Sequence, residues 1–211
     1  DTRLGLNPEQ VVVLSTRNQL GYSDTQYNVL KEELLQNPRI ENVTTVGPSL
    51  PTTLDHLGQL FVARPVPGED SEPLSAYHVP AGMDFLETLD IPLVMGRDLR
   101  PGDLDLIRGG TETPVLINET AVRQFGWDEP IGKEFECCFS PPARVVGVIA
   151  DFHYQSLKEE IAPMALMASW QSRFILMRVH TEDLPGTMDF IEQRWQAFAP
   201  GYPFDATFMD D

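Results

Sequence analysis

The chain has 211 residues, with 15 Lys and Arg against 32 Asp and Glu for a formal net charge of −17, and 42% of its residues are apolar. The apolar share supports a sizeable core, in one large domain or two small ones. The charge repels phosphate backbones, so the chain is read as binding no nucleic acid, and it disfavours docking on anionic lipid head groups.

"EQVVVLSTR" (Glu9–Arg17) has a dense β-branched centre and reads as a buried strand. In "SDTQYNVLKEELLQNP", Ser23 and Gln26 have capping-box spacing and Tyr27, Leu30 and Leu34 share one helical face. Pro38 stops that helix. "IENVTTVG" reads as a second strand, giving strand–helix–strand. A third strand is expected around Gln59–Arg64 between Pro- and Gly-rich loops, and a fourth in "LSAYHVP". "AGMDFLETLD" reads as a short helix, and "GRDLRPGDLDLIRGGTET" as a long polar connection. "TPVLINETAVRQFGW" reads as strand into helix, with Asn118 as N-cap and Gly126 at the left-handed C-terminal position. "IGKEFECCF" and "ARVVGVIADF" look like paired strands, followed by strands in "PMALMAS" and "RFILMRVH". The last helix places Met188, Ile191, Trp195 and Phe198 on one stripe, and a strand in "YPFDATFMDD" closes the chain. The terminal strand–helix–strand echoes the first. Two such units in one sheet make a ferredoxin-like layer, with the β-rich middle as an insertion, so the fold class is α+β.

The search for chemistry yields little. His56, His78, His153 and His180 show no metal-binding helical spacing, and Cys137 and Cys138 are too few for a Cys-rich zinc site. Adjacent cysteines strain a mutual disulfide, so both are read as ordinary thiols. Asp151 and His153 form the best local pair, because positions i and i+2 of an extended segment share a face. They are the candidate metal ligands. The competing reading has Asp151 fixing a turn and His153 packing or lining the surface. "GRDLRPGD" holds cations and glycines but offers no helix start to complete an anion site. Nucleophile elbows, P-loops and dinucleotide fingerprints are absent from the sequence, so no catalytic residue and no cofactor is assigned. No apolar run approaches the roughly 20 residues of a membrane span. The start at Asp1 and the end in "FDATFMDD" read as those of an excised or processed piece.

Four blocks, in order, resemble a known family. "GMDFLETLDIPLVMGRDL" is similar to the helix-to-strand passage, ending in Gly-Arg-Asp, of the periplasmic core domain of MacB-like and FtsX-like ABC transporter permeases. "VLINETAVRQFGWDEPIGKEFE" resembles its Asn-Glu-Thr helix and Ile-Gly-Lys turn, and "ARVVGVIADFHYQSLKEEIAP" its Val-Val-Gly-Val strand. "IEQRWQAFAPGYPFDATFMDD" resembles its last helix and strand. The resemblance implies a βαβ-containing lobe from residues 1–96 and 170–211 and a β-rich inserted lobe from 97–169. It implies a longer parent with one transmembrane helix before this segment and three after. The domain would face the periplasm from the inner membrane and carry no catalytic site. Implied partners are a cytosolic ABC ATPase, a second permease copy, and a periplasmic or outer-membrane protein. ATP hydrolysis would be coupled to substrate export or partner binding by conformational change. The alternative is a soluble metal-dependent hydrolase using Asp151 and His153.

The acidity has two readings: adaptation to high salt, or steering of cationic peptides. Under the first, the thermal midpoint rises between low and molar KCl; an equal or lower midpoint in molar KCl removes it.

Overall fold

β-Branched and long apolar side chains dominate the strands because most of them are covered on both faces. A computed structural model describes residues 5, 7–16, 24–47, 59–65, 72–137, 141–153, 160–169 and 173–209. Strands β1 (Val11–Ser15), β2 (Ile40–Val46), β10 (Phe174–Val179) and β11 (Ala206–Phe208) carry helices α1 (Asp24–Leu34) and α5 (Leu184–Phe198) between them. Their order, β11-β1-β10-β2, is antiparallel throughout. This is the ferredoxin-like layer expected from the two strand–helix–strand units, assembled from the two ends of the chain.

The strand side chains sort by parity, as a two-residue pleat requires. Val12, Leu14, Ile175 and Met177 face α1 and α5, where Leu30, Leu34, Ile191 and Trp195 are buried. Trp195 also donates its indole Nε1–H to the Pro203 carbonyl at 3.2 Å, tying α5 to the turn that follows. Val11, Val13, Phe174 and Leu176 face the opposite way into a second core. Arg178 shares their parity and is buried. Its guanidinium donates to three backbone carbonyls, those of Thr88 (2.8 Å), Glu9 (3.1 Å) and Asn7 (2.9 Å). A planar fork of donors suits this task, which a lysine could not perform.

The other half contains β3 (Gln59–Ala63), β4 (Leu74–Ala81), β5 (Leu93–Gly96), β6 (Thr113–Asn118), β7 (Glu134–Phe135), β8 (Ala143–Ile149) and β9 (Met164–Ala168). Helices α2 (Phe85–Leu89), α3 (Pro101–Arg108) and α4 (Glu119–Phe125) lie among them in the chain. Residues 59–96 fall within the 1–96 lobe of the sequence reading, yet β3, β4 and β5 pair here. The ladder β3-β4-β9-β6-β8-β7 runs back to its start, because Arg64 and Glu136 exchange backbone hydrogen bonds of 2.8 and 2.9 Å. The ring is filled by alternating small and large side chains: Ala63, Ala76, Ala143 and Ala165 beside Phe61, Phe135 and Ile117. Phe135 is fully buried, with the rings of Phe125 at 5.5 Å and Trp127 at 6.4 Å.

The halves join at one ladder position, Val46 opposite Ala81. Gly47 N–H to Pro80 O (2.9 Å) and Gly82 N–H to Thr45 O (2.8 Å) extend the join. Below it the second core is common to both halves, placing Val13 and Leu176 with Phe85, Leu89, Leu116, Leu166 and Phe152.

Two expectations change. The polar segment after Gly96 is not a plain connection, since it holds α3. Pro101 pre-sets the helical φ at the first position. Asp103 accepts from the Arg100 N–H (3.0 Å), and the Asp103 N–H returns a bond to the Arg100 carbonyl (2.9 Å). "GRDLRPGD" therefore does contain a helix start, but the buried Asp103 carboxylate already occupies it. Ser23 and Cys138 lie outside the described residues, and Cys137 is half-buried. Among the described residues, no helix is long and apolar enough to cross a membrane.

Truncating Phe135 removes the largest fully buried side chain of the ring interior. Phe135→Ala is expected to cost about 3–5 kcal/mol, seen as a lowered urea midpoint at unchanged slope.

Candidate functional site

Strands β6 and β8 are parallel neighbours, so their C-terminal ends lie side by side. Asn118 ends β6 and Asp151 follows β8. Asn118 is fully buried and satisfies three backbone groups. Its Oδ1 accepts from Ala121 N–H (3.0 Å), capping α4, and from Met164 N–H (2.9 Å) at the start of β9. Its Nδ2 donates to the Ala162 carbonyl at 3.0 Å.

Asp151 acts on the same helix start. Its Oδ1 accepts from Thr120 N–H (2.9 Å), and its Oδ2 from Thr120 Oγ1 (2.8 Å) and Arg123 Nη2 (2.9 Å). Glu119 reaches back, accepting from the Asp151 N–H at 3.3 Å. Both carboxylate oxygens are thus committed to the protein. Asp151 holds the start of α4, 31 positions earlier in the chain, and the turn that follows it lies outside the described residues.

His153 is half-buried, with fully buried Phe152 between it and Asp151. Both polar residues are less covered than Phe152. His153 makes no hydrogen bond among the described residues, and none joins it to Asp151. His78 lies in β4 and His180 follows β10, on separate elements. His56 and the continuation Ser156–Leu157 lie outside the described residues. No group of three His, Cys, Asp or Glu side chains among the described residues could hold a metal ion. The arrangement gives no support to metal-dependent hydrolysis.

Residues from three of the four blocks that carry the resemblance lie here, each with a mechanical reason. Gly96 and Gly147 face one another where β5 crosses β8. A Cβ on Gly96, whose φ is +78°, would sit 2.4 Å from the Val146 carbonyl oxygen, and one on Gly147 2.4 Å from that of Arg97. Only bare backbone allows this approach. Arg97 pairs with Asp103 through two bonds of 2.8 Å, which raises the guanidinium pKa further. Asp98 alongside is pushed up, chiefly by burial, against the lowering effect of the Leu99 N–H. Gly132 N–H donates to the Val145 carbonyl (2.8 Å), returning the Ile-Gly-Lys turn onto β8. Sequence reading named Asn118 as a cap but could not see its bonds to β9. It missed Arg97–Asp103, although the six-residue spacing across a Pro was the available signal.

A second corner joins the halves near β2. Lys31 of α1 pairs with Asp84 ahead of α2, and Tyr27 donates to the Val43 carbonyl at 3.3 Å. Burial, with the Asp84 charge adding, pushes the Tyr27 phenol well above its usual range. A cleft of about 210 Å³ opens there between Tyr27, Gly82, Leu104 and Arg108.

No family model matches the sequence, and no curated protein does. Solved structures do match in fold. The periplasmic region of MacB from Actinobacillus actinomycetemcomitans superposes with a TM-score of 0.62 at 17% identity, over 98% of this chain and 91% of that one. The extracellular domain of the noncanonic ABC-type transporter YknZ from Gram-positive bacteria gives 0.61 at 12% identity, over 93% and 98%. A domain of a putative permease from Porphyromonas gingivalis gives 0.57 at 16%, over 94% and 88%. The chain has the fold shared by these extracytoplasmic transporter domains.

If the Asp151 region is a structural clasp, Asn118→Ala costs about 3 kcal/mol and Asp151→Ala about 1–2, while His153→Ala stays within about 1. Urea denaturation checks the ranking; a loss at His153 exceeding that at Asn118 overturns it.

Proposed function

We propose that this chain is the extracytoplasmic domain of a MacB-like or FtsX-like ABC transporter permease, and that it carries no catalytic site of its own. The observation that supports this reading is the end-to-end fold likeness, which spans 98% of this chain and 91% of the MacB periplasmic region. The commitment of Asn118, Asp151 and Arg97 to internal bonds agrees with it, since these residues serve the scaffold. In this reading the parent permease sits in the cytoplasmic membrane, works as a pair of copies, and is driven by a cytosolic ATPase. Hydrolysis there is coupled to substrate export, or to binding of a partner outside the membrane, through movement of this domain.

The pairing suggests a division into lobes that differs from the one inferred from sequence. Residues 7–47 and 173–209 form one hydrogen-bonded unit and 59–169 the other, meeting at Val46 and Ala81. The core beneath that join favours displacement of the two as one body over hinging between them.

The parent gene is expected to encode one membrane helix before this segment and three after it. The intact protein, solubilised from native membranes, is expected to co-purify with an ATP-binding subunit or domain. A parent without membrane helices, or an intact permease that retains no ATPase, refutes the reading.

A further inference from the structure

The last strand of the sheet is unusual in its surface. β5 ends the strand order, and among the described residues no strand lies on its outer edge. All four of its residues are exposed. Leu93 is 40% exposed, Val94 51% and Met95 48%, and Ile131 beside Gly96 is 42%. These four make up half of the eight large hydrophobic residues exposed among those described, on one edge of the molecule. Scattered apolar residues need no explanation, but a contiguous set marks an interaction surface.

A groove of about 210 Å³ continues this edge. Its apolar bed is Val94, Met95, Val122 and Val148, and Glu119 and Asp128 flank it. Arg123 also borders the groove but is held by Asp151 at 2.9 Å, so its charge is already compensated. Among the described residues neither Glu119 nor Asp128 has an ion-pair partner, so the groove presents negative charge around an apolar strip. The ladder skips Val94 between Leu93 and Met95, a bulge that re-aims one side chain and removes a flat edge for indiscriminate pairing. A second copy of this chain suits the surface poorly, because each copy brings a net charge of −17 to the contact.

We propose that β5 and this groove are a docking site for an extended segment of a partner protein, with apolar side chains alternating with Lys or Arg. The segment adds beside β5 as a strand. Its backbone supplies hydrogen bonds, its apolar side chains cover Val94 and Met95, and its cations face Glu119 and Asp128. The inference stands on the exposed edge and its charges and does not depend on the transporter reading.

The test is selection of a displayed library of 12-residue peptides on the intact chain at 0.15 M salt, with counter-selection on the double variant Val94→Asp/Met95→Asp. Recovered peptides are expected to alternate apolar residues with Lys or Arg. Synthetic copies should bind the double variant at least tenfold more weakly, lose affinity as KCl is raised, and shift the amide resonances of residues 93–96 in the wild type. If the double variant does not fold, Val94→Thr/Met95→Thr replaces it, and the wild-type shift map stands by itself. No enrichment, acidic or uncharged binders, or shifts elsewhere overturn the proposal. So does a wild-type dimer in sedimentation that the double variant abolishes, which would assign the edge to a second copy. Binding to anionic vesicles that the double variant abolishes would also overturn it, assigning the edge to a lipid surface.

Discussion

Two hydrogen-bonded systems are spliced at a single ladder position, Val46 opposite Ala81, and much of the architecture follows from that splice. The flanking backbone must come close. A Cβ on Gly82 would sit 2.5 Å from Thr45 Oγ1, and one on Gly47 2.8 Å from the Pro80 ring. Because the ladder contact is so small, directional bonds alone could not hold the halves in one orientation. The apolar core beneath does so, with Val13 and Leu176 from one half interlocked with Leu116, Leu166 and Phe152 from the other. Close packing of this kind resists shear between the halves without further bonds.

The residues most suggestive of a family turn out to be joints. Gly96, Asn118, Gly132, Gly147 and Asp151 lie on or beside β5, β6 and β8, and each answers a steric or hydrogen-bonding need of this packing. Solved domains of 12–17% identity share the fold across more than nine-tenths of this chain.

Much of this was legible in sequence because its signals are local. Period and capping placed α1, α4 and α5, and the echo of the two strand–helix–strand units gave the ferredoxin-like layer. The misses share a cause. α3 was hidden because Pro101 and Gly102, which suit a first turn, also punctuate loops. The closure of Arg64 onto Glu136, the three-carbonyl seat of Arg178 and the reach of Asp151 to Thr120 connect positions 31 to 171 residues apart, which no local pattern encodes. Asp151 and His153 are both half-buried on either side of Phe152, with no hydrogen bond between them. What sequence could not show was that the carboxylate was already spoken for.

The splitting of the ferredoxin-like layer between the two ends of the chain also dictates an order of events during synthesis. β1 pairs only with β10 and β11 among the described strands. Its apolar run Val11–Leu14 therefore has no ladder partner until residues 174–208 have left the ribosome. The ring from β3 to β9 draws on residues 59–168 and can close before that. The part of the molecule made first is thus finished last. During the interval an unpaired, strongly apolar strand is the segment most in need of protection from aggregation.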